Sequence, residues 1–351
     1  MAAFFNQGTL FSLLAVLTFA ICASPALAQT STTWTANAGD WFINSNWSFR
    51  TPDCSLDAYV NNGGKPEIDV FKATARSLTL GQYSGDSGNL VVDGTDSGTL
   101  QVCGDFYIGN QGNGTFTVNH VGQVSSLNGF IAAGSIGPTG QPSHGSVTVI
   151  DPGTTWNIGD FTGLAQLLIG IGPGGANGGT GLLLVAGGGR VQVNNLSSQT
   201  PAVLIGPSGT LTGDGTVELR NGSSTVMEVR GTIAPSGGGG TLTIGGDLSF
   251  IIAAPGDAPT MECTVTYGDV TATPKVALSG TALLTGKLSV TMSGTTFTPG
   301  TRYTLLHADG GRFHDSRFST YSIKYSPNSQ CFTPVITYDD NNVYLYLQPC
   351  T

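Results

Sequence analysis

The sequence predicts an all-β chain wound as a right-handed parallel β-helix, with an aromatic N-terminal cap and a β-rich C-terminal cap. The first observation behind this is a recurring strand cassette. Apolar runs ending in glycine occur at Leu78-Thr79-Leu80-Gly81, Phe106-Tyr107-Ile108-Gly109, Ile131-Ala132-Ala133-Gly134, Leu167-Leu168-Ile169-Gly170 and Val203-Leu204-Ile205-Gly206. Turn-rich residues follow the first four, and then a second strand opens on glycine, as in Gly114-Thr115-Phe116-Thr117-Val118 and Gly145-Ser146-Val147-Thr148-Val149. A third strand usually opens eight or ten residues later, as at Gly98 and Gly189. Repeats of a few tens of residues mark units that cannot bury their own apolar face alone.

The second observation is spacing. The terminal glycines 81, 109, 134, 170 and 206 are 28, 25, 36 and 36 residues apart. A coil tolerates unequal spacing by bulging loops at one corner, whereas a sandwich or barrel, the competing architecture, does not accommodate it so easily. The third is periodicity. Thr115–Val118, Thr241–Ile244 and Leu288–Thr291 alternate with period two, which sets a single apolar face per strand, and no helical period follows the N-terminal segment.

Taken in order, residues 1–28 read as a signal peptide. The apolar stretch from Leu10 to Ala23 precedes the small-x-small site Ala26-Leu27-Ala28, which predicts cleavage between Ala28 and Gln29. The apolar run is shorter than the roughly 20 residues of a membrane span, and no later one is longer, so no span is expected in the mature chain. Residues 29–76 hold three of the four tryptophans, in Trp34-Thr35-Ala36-Asn37-Ala38-Gly39-Asp40-Trp41 and Asn44-Ser45-Asn46-Trp47. They are expected to cover the first coil, since large aromatics bury the most area; the other reading is a sugar-binding platform. Residues 77–294 are the coils, with Leu90, Phe116, Val147 and Leu183 expected as an interior ladder. Residues 295–351 form the C-terminal cap, in which Asp339-Asp340-Asn341-Asn342 is expected to turn a hairpin.

Composition narrows the function classes. Charged residues are 10% of the chain, against roughly 25% in ordinary globular proteins, and the net charge is −9. That balance disfavours nucleic acid and anionic membranes as partners, because both need basic patches. It fits an exported protein at the cell surface or beyond it, with the periplasm as a further location. Five cysteines remain after residue 28, and an oxidising compartment allows disulfides. Cys331 and Cys350 flank adjacent strand-like runs and form the best local pair, with Cys54 and Cys103 as a second pairing. The odd count leaves at least one thiol over or pairing between chains.

The later part carries short motifs: Gly231-Thr232-Ile233-Ala234-Pro235-Ser236, Gly240-Thr241-Leu242-Thr243-Ile244-Gly245-Gly246-Asp247, Tyr303-Thr304-Leu305-Leu306 and Asn342-Val343-Tyr344-Leu345. With the Trp-rich opening and glycine-rich coils, they make residues 33–347 resemble bacterial autotransporter-type passenger domains and related secreted glycine-rich β-helix repeat proteins. The resemblance implies a β-helix at the cell surface. Four residues follow Leu347, so the passenger's membrane barrel is not expected here.

No catalytic constellation is expected from the residue types and their spacing. Acids lie singly at turns, and only Asp105, Asp151 and Asp160 are candidates for one shared edge. The histidines His120, His144, His307 and His314 have no partner at metal or triad spacing, and neither a cofactor motif nor a phosphate loop is present. The expected function is therefore a non-enzymatic scaffold or adhesion-type protein binding carbohydrate or protein partners through a polar strand face. Its alternative is a β-helical polysaccharide lyase or hydrolase, which predicts a cleft lined by two acids with Arg190 or Arg220 nearby. Thr-x-Thr pairs at Thr210/Thr212 and Thr241/Thr243 would suit ice binding only if aligned on one face.

Overall fold

A computed structural model describes residues 29–134, 142–159, 164–173, 178–196, 200–220, 226–236, 240–254, 257–268, 275–294, 297–325 and 331–350. The signal-peptide reading, Ala28 and Asp160 lie outside them. The described residues contain no α-helix. They form three sheets of 10, 11 and 11 strands, and each turn of the chain visits the sheets in the same order. One full coil shows the unit: Ser77–Leu80 in sheet 1, Ser87–Asp93 in sheet 2 and Thr99–Val102 in sheet 3. Each strand pairs in parallel with its counterpart one coil away. This is a parallel β-helix, and it replaces the sandwich or barrel alternative.

Period-two alternation puts one set of side chains into the lumen. In sheet 2 the register stacks Leu90, Phe116, Val147, Leu183 and Leu211 in one column, all buried. Trp156 replaces a side chain missing from the next wall. Gly129 stands in the inward column of sheet 1 between Phe106 and Leu167, and a Cβ there would lie 2.8 Å from the Trp156 ring. The indole packs edge-on against Phe106 and Phe116 at 5.9 Å and donates Nε1–H to Ser126 Oγ at 3.1 Å. A buried indole is thus both packed and satisfied.

Glycines sit at the corner between sheets 1 and 2. Gly88, Gly114, Gly145, Gly181 and Gly209 align in one column at the start of the sheet 2 strands. A Cβ on Gly88 would come within 2.0 Å of the Val60 carbonyl oxygen, so the corner closes only without a side chain. At the ends of the sheet 1 strands, register corrects the sequence alignment. Ile108 pairs with Ile131, so the counterpart of Gly109 is Ala132, not Gly134. Ala132 has φ 51°, and Gly81, Gly109 and Gly170 have φ of 70°, 71° and 66°.

The coil stack extends beyond the expected 77–294. Ser31–Thr33 pairs with Asp57–Val60, and Ala38–Asp40 with Lys65–Ile68, so the Trp-rich segment is itself wound into the first coils. Trp34, Trp41 and Trp47 are buried, with edge-on contacts of 5.1 and 4.7 Å to Trp47. Buried rings offer no platform to a sugar, and they close the helix end. At the other end, Arg302–Ala308 and Thr320–Lys324 continue the parallel sheets. Phe332–Tyr338 and Asn342–Pro349 form an antiparallel hairpin whose second strand also pairs antiparallel with Arg302–Ala308, and Asp339 caps its turn by accepting from the Asn341 and Asn342 amides.

Carboxylates at strand ends are stabilised as anions. The Arg76 guanidinium, followed by the Ser77 hydroxyl, holds Asp57 below its ordinary pKa of 3.8, and the Thr95 hydroxyl does most to lower Asp93. A lowered folded-state pKa contributes stability that is complete above the unfolded value and is lost as pH falls through the folded one. The urea midpoint is therefore expected to drop between about pH 4 and about pH 2, with little change from about pH 5 to 7. An unchanged midpoint at about pH 2 would contradict this.

Candidate functional site

The expectation of one apolar face per strand fails in sheet 1. Its outward column runs Tyr107, Phe130, Leu168 and Leu204, in register. Phe130, Leu168 and Leu204 are buried together with Ala133 and Ile171, and Tyr107 stacks on Phe130 at 4.7 Å. Residues immediately after the sheet 1 strands thus fold back over this face. The unalternated runs Leu167-Leu168-Ile169 and Val203-Leu204-Ile205 carried that signal, since strands covered on both sides read as continuous apolar stretches.

Beyond Leu204 the same column becomes polar, continuing through Glu228 and Ser249 to Leu283. The face opens there into a groove of about 370 Å³ whose lining includes Glu228, Asp247, Ser249, Thr281, Leu283 and Phe313. Glu228 is fixed by Arg230, whose Nε donates to Oε1 at 2.6 Å, and both side chains are largely buried. Asp247 Oδ1 accepts from the Thr281 amide at 2.6 Å and from the Thr281 hydroxyl at 3.0 Å. Each carboxylate therefore has one oxygen tied into the scaffold.

Phe313 overhangs this groove from a short turn, and its ring is about half exposed. The turn is held in place by Arg312, which donates to the carbonyls of Asp339 and Ser316, both at 2.6 Å, and lies over the Tyr338 ring. His314 and Asp315 follow with φ of 49° and 53°, a conformation unfavourable for side-chain-bearing residues, and His314 packs edge-on against Phe313 at 4.1 Å. A rigid anchor thus presents an aromatic ring to solvent.

The residues singled out from sequence are arranged differently. Asp105 opens a sheet 1 strand and accepts from Asn128 and Tyr107, whereas Asp151 follows a sheet 2 strand and accepts from the His120 amide, so they share no edge. Arg190, Arg220 and Gln192 all converge on Glu218, which uses both cations on one acid of sheet 3. Among the described residues, no group of three His, Cys, Asp or Glu side chains could hold a metal ion. Glu228, Asp247 and Phe313 were not distinguished in sequence, where Asp247 reads as one more turn aspartate.

The disulfides are Cys331–Cys350 and Cys54–Cys103, which leaves Cys263 as the free thiol. Burial pushes its pKa up to about 12, so it is not a reactive thiolate. Two disulfides fit an oxidising compartment. No helix among the described residues is long and apolar enough to cross a membrane.

The outer faces of sheets 2 and 3 carry columns of mostly polar groups, with Lys72 and Arg190 among the charged ones on sheet 3 and Glu262 and Lys287 on sheet 2. Sheet 3 aligns Gln101, Ser125, Asn157 and Gln192, ending at Glu218. Sheet 2 aligns Thr117 with Thr148 and Thr210 with Thr232, interrupted by Leu182 and Leu184. Thr243 belongs to sheet 3, opposite Thr216, so the two Thr-x-Thr pairs noted in sequence do not share one face. No protein-family model matches the chain, and no curated protein matches it either.

Proposed function

We propose that this protein is an exported, extracellular or surface-exposed β-helical scaffold of the adhesion type, which holds carbohydrate or protein partners on its outer strand faces without transforming them. The sheet 3 column of Gln101, Ser125 and Asn157 carries the reading. Neighbouring coils repeat these groups about every 4.8 Å, which offers a periodic row of donors and acceptors to an extended partner. The resemblance to autotransporter-type passengers supports the same role. Catalysis is less well supported. Arg190 and Arg220, the cations expected beside a catalytic cleft, both pair with Glu218 on sheet 3 and not with the groove acids of sheet 1.

Lysines at Ser125 and Asn157 put two charges in the middle of the ladder without touching the core. The purified double variant S125K/N157K is expected to lose at least about tenfold in polysaccharide or cell-surface retention, with an unchanged circular dichroism spectrum. Blank glycan arrays and adhesion assays with the unmodified chain would sink the proposal.

A further inference from the structure

We propose that the groove over sheet 1 is a separate binding subsite for one uncharged pyranose unit of a glycan. It lies on a different sheet from the polar ladders and does not depend on them. A pyranose ring has an apolar C–H face and a rim of hydroxyl donors, and the groove has the complement of both. Phe313 supplies an exposed aromatic face on a pinned turn, and Leu283 continues the apolar surface. Glu228 and Asp247 supply acceptors.

Their internal bonds orient them. Arg230 occupies Glu228 Oε1, and Thr281 occupies Asp247 Oδ1. No donor from the described residues reaches Glu228 Oε2 or Asp247 Oδ2. Register places the two acids on adjacent strands, Val226 opposite Asp247 and Glu228 opposite Ser249, so both project from the same face two positions apart. Hydroxyls spaced around one sugar ring can meet both oxygens.

The volume of about 370 Å³ is at the small end of the range for small-molecule sites. Charge selects among sugars. Two carboxylates against one arginine leave an excess negative charge, which repels uronates and other acidic sugars. Arg230 stands beside Glu228 and opposes a cationic ligand there. An uncharged ring is what remains.

The test titrates the full chain with neutral oligosaccharides built on glucose, mannose, xylose or N-acetylglucosamine, and with oligogalacturonate, read by saturation-transfer NMR and calorimetry. At least one neutral series is expected to bind, and oligogalacturonate is not. Phe313→Ala should weaken binding roughly tenfold, and Phe313→Trp should retain it. Phe313 is exposed, so the folded spectrum should not change in either. Asp247→Asn should weaken binding several-fold. Failure of every neutral sugar, equal binding of oligogalacturonate, or an unaffected Phe313→Ala variant would each overturn the proposal. S125K/N157K should bind these oligosaccharides like the unmodified chain even where polymer retention is lost, which separates failure of this subsite from failure of the strand-face reading.

Discussion

Gly109→Ala is expected to destabilise the β-helix by about 3 kcal/mol or more, while Ala132→Gly, at the equivalent position one coil later, is neutral or stabilising by up to about 1 kcal/mol. The two positions align because Ile108 pairs with Ile131. Gly109 has φ 71°, where a side chain costs about 1–2 kcal/mol by local sterics alone. A Cβ there would also sit 2.0 Å from the His144 carbonyl oxygen, which is backbone and cannot rotate away. His144 begins the neighbouring sheet 2 strand, so relief would shift a strand paired on both sides. Ala132 already carries its Cβ at φ 51°, so removing it releases strain while adding unfolded-state entropy. Urea unfolding of the two variants checks both signs. Equal stabilities would show that glycine at this corner is a matter of composition and not of conformation.

That contrast shows what the sequence made legible. Alternation in Thr115–Val118 was enough to place Phe116 in the lumen, because a strand with one wet face has only one register that buries its apolar set. Glycine at 81, 109 and 170 marked the corner because only glycine is comfortable there. Where alanine took the strain at 132, the pattern pointed two residues too far, to Gly134. The Trp-rich segment read as a separate cap because aromatic composition masks the short strands Ser31–Thr33 and Ala38–Asp40, whose existence depends on pairing with later coils. The groove was hidden for a different reason. Glu228 and Asp247 become neighbours through coil pitch, and Phe313 reaches them from a turn two sheet 1 strands further on. Insert lengths decide such meetings, and no local spacing records them.

Removing the Cys54–Cys103 bond is expected to loosen the N-terminal coils and leave the rest of the helix intact. The two cysteines are 49 residues apart, a loop for which cross-linking contributes about 4 kcal/mol in the chain-entropy account. Cys54 precedes the sheet 1 strand Asp57–Val60, and Cys103 follows the sheet 3 strand Thr99–Val102, so the bond ties the first coils to one further along the stack. In a solenoid each coil contacts only its neighbours, and lost stability is felt locally before it is felt globally. Three of the four tryptophans, Trp34, Trp41 and Trp47, lie in the loosened region. In the C54S/C103S variant, tryptophan fluorescence should therefore report an early transition, and amide exchange should accelerate across residues 29–76. Amides of the sheet 2 strands beyond Thr180–Ala186 should keep their protection. The Cys331–Cys350 bond, 19 residues apart, contributes about 3 kcal/mol on the same reasoning and should loosen only the terminal hairpin when removed. A single cooperative transition shifted equally by either deletion would mean that the stack unfolds as one unit, because its coupling between coils exceeds what either bond supplies.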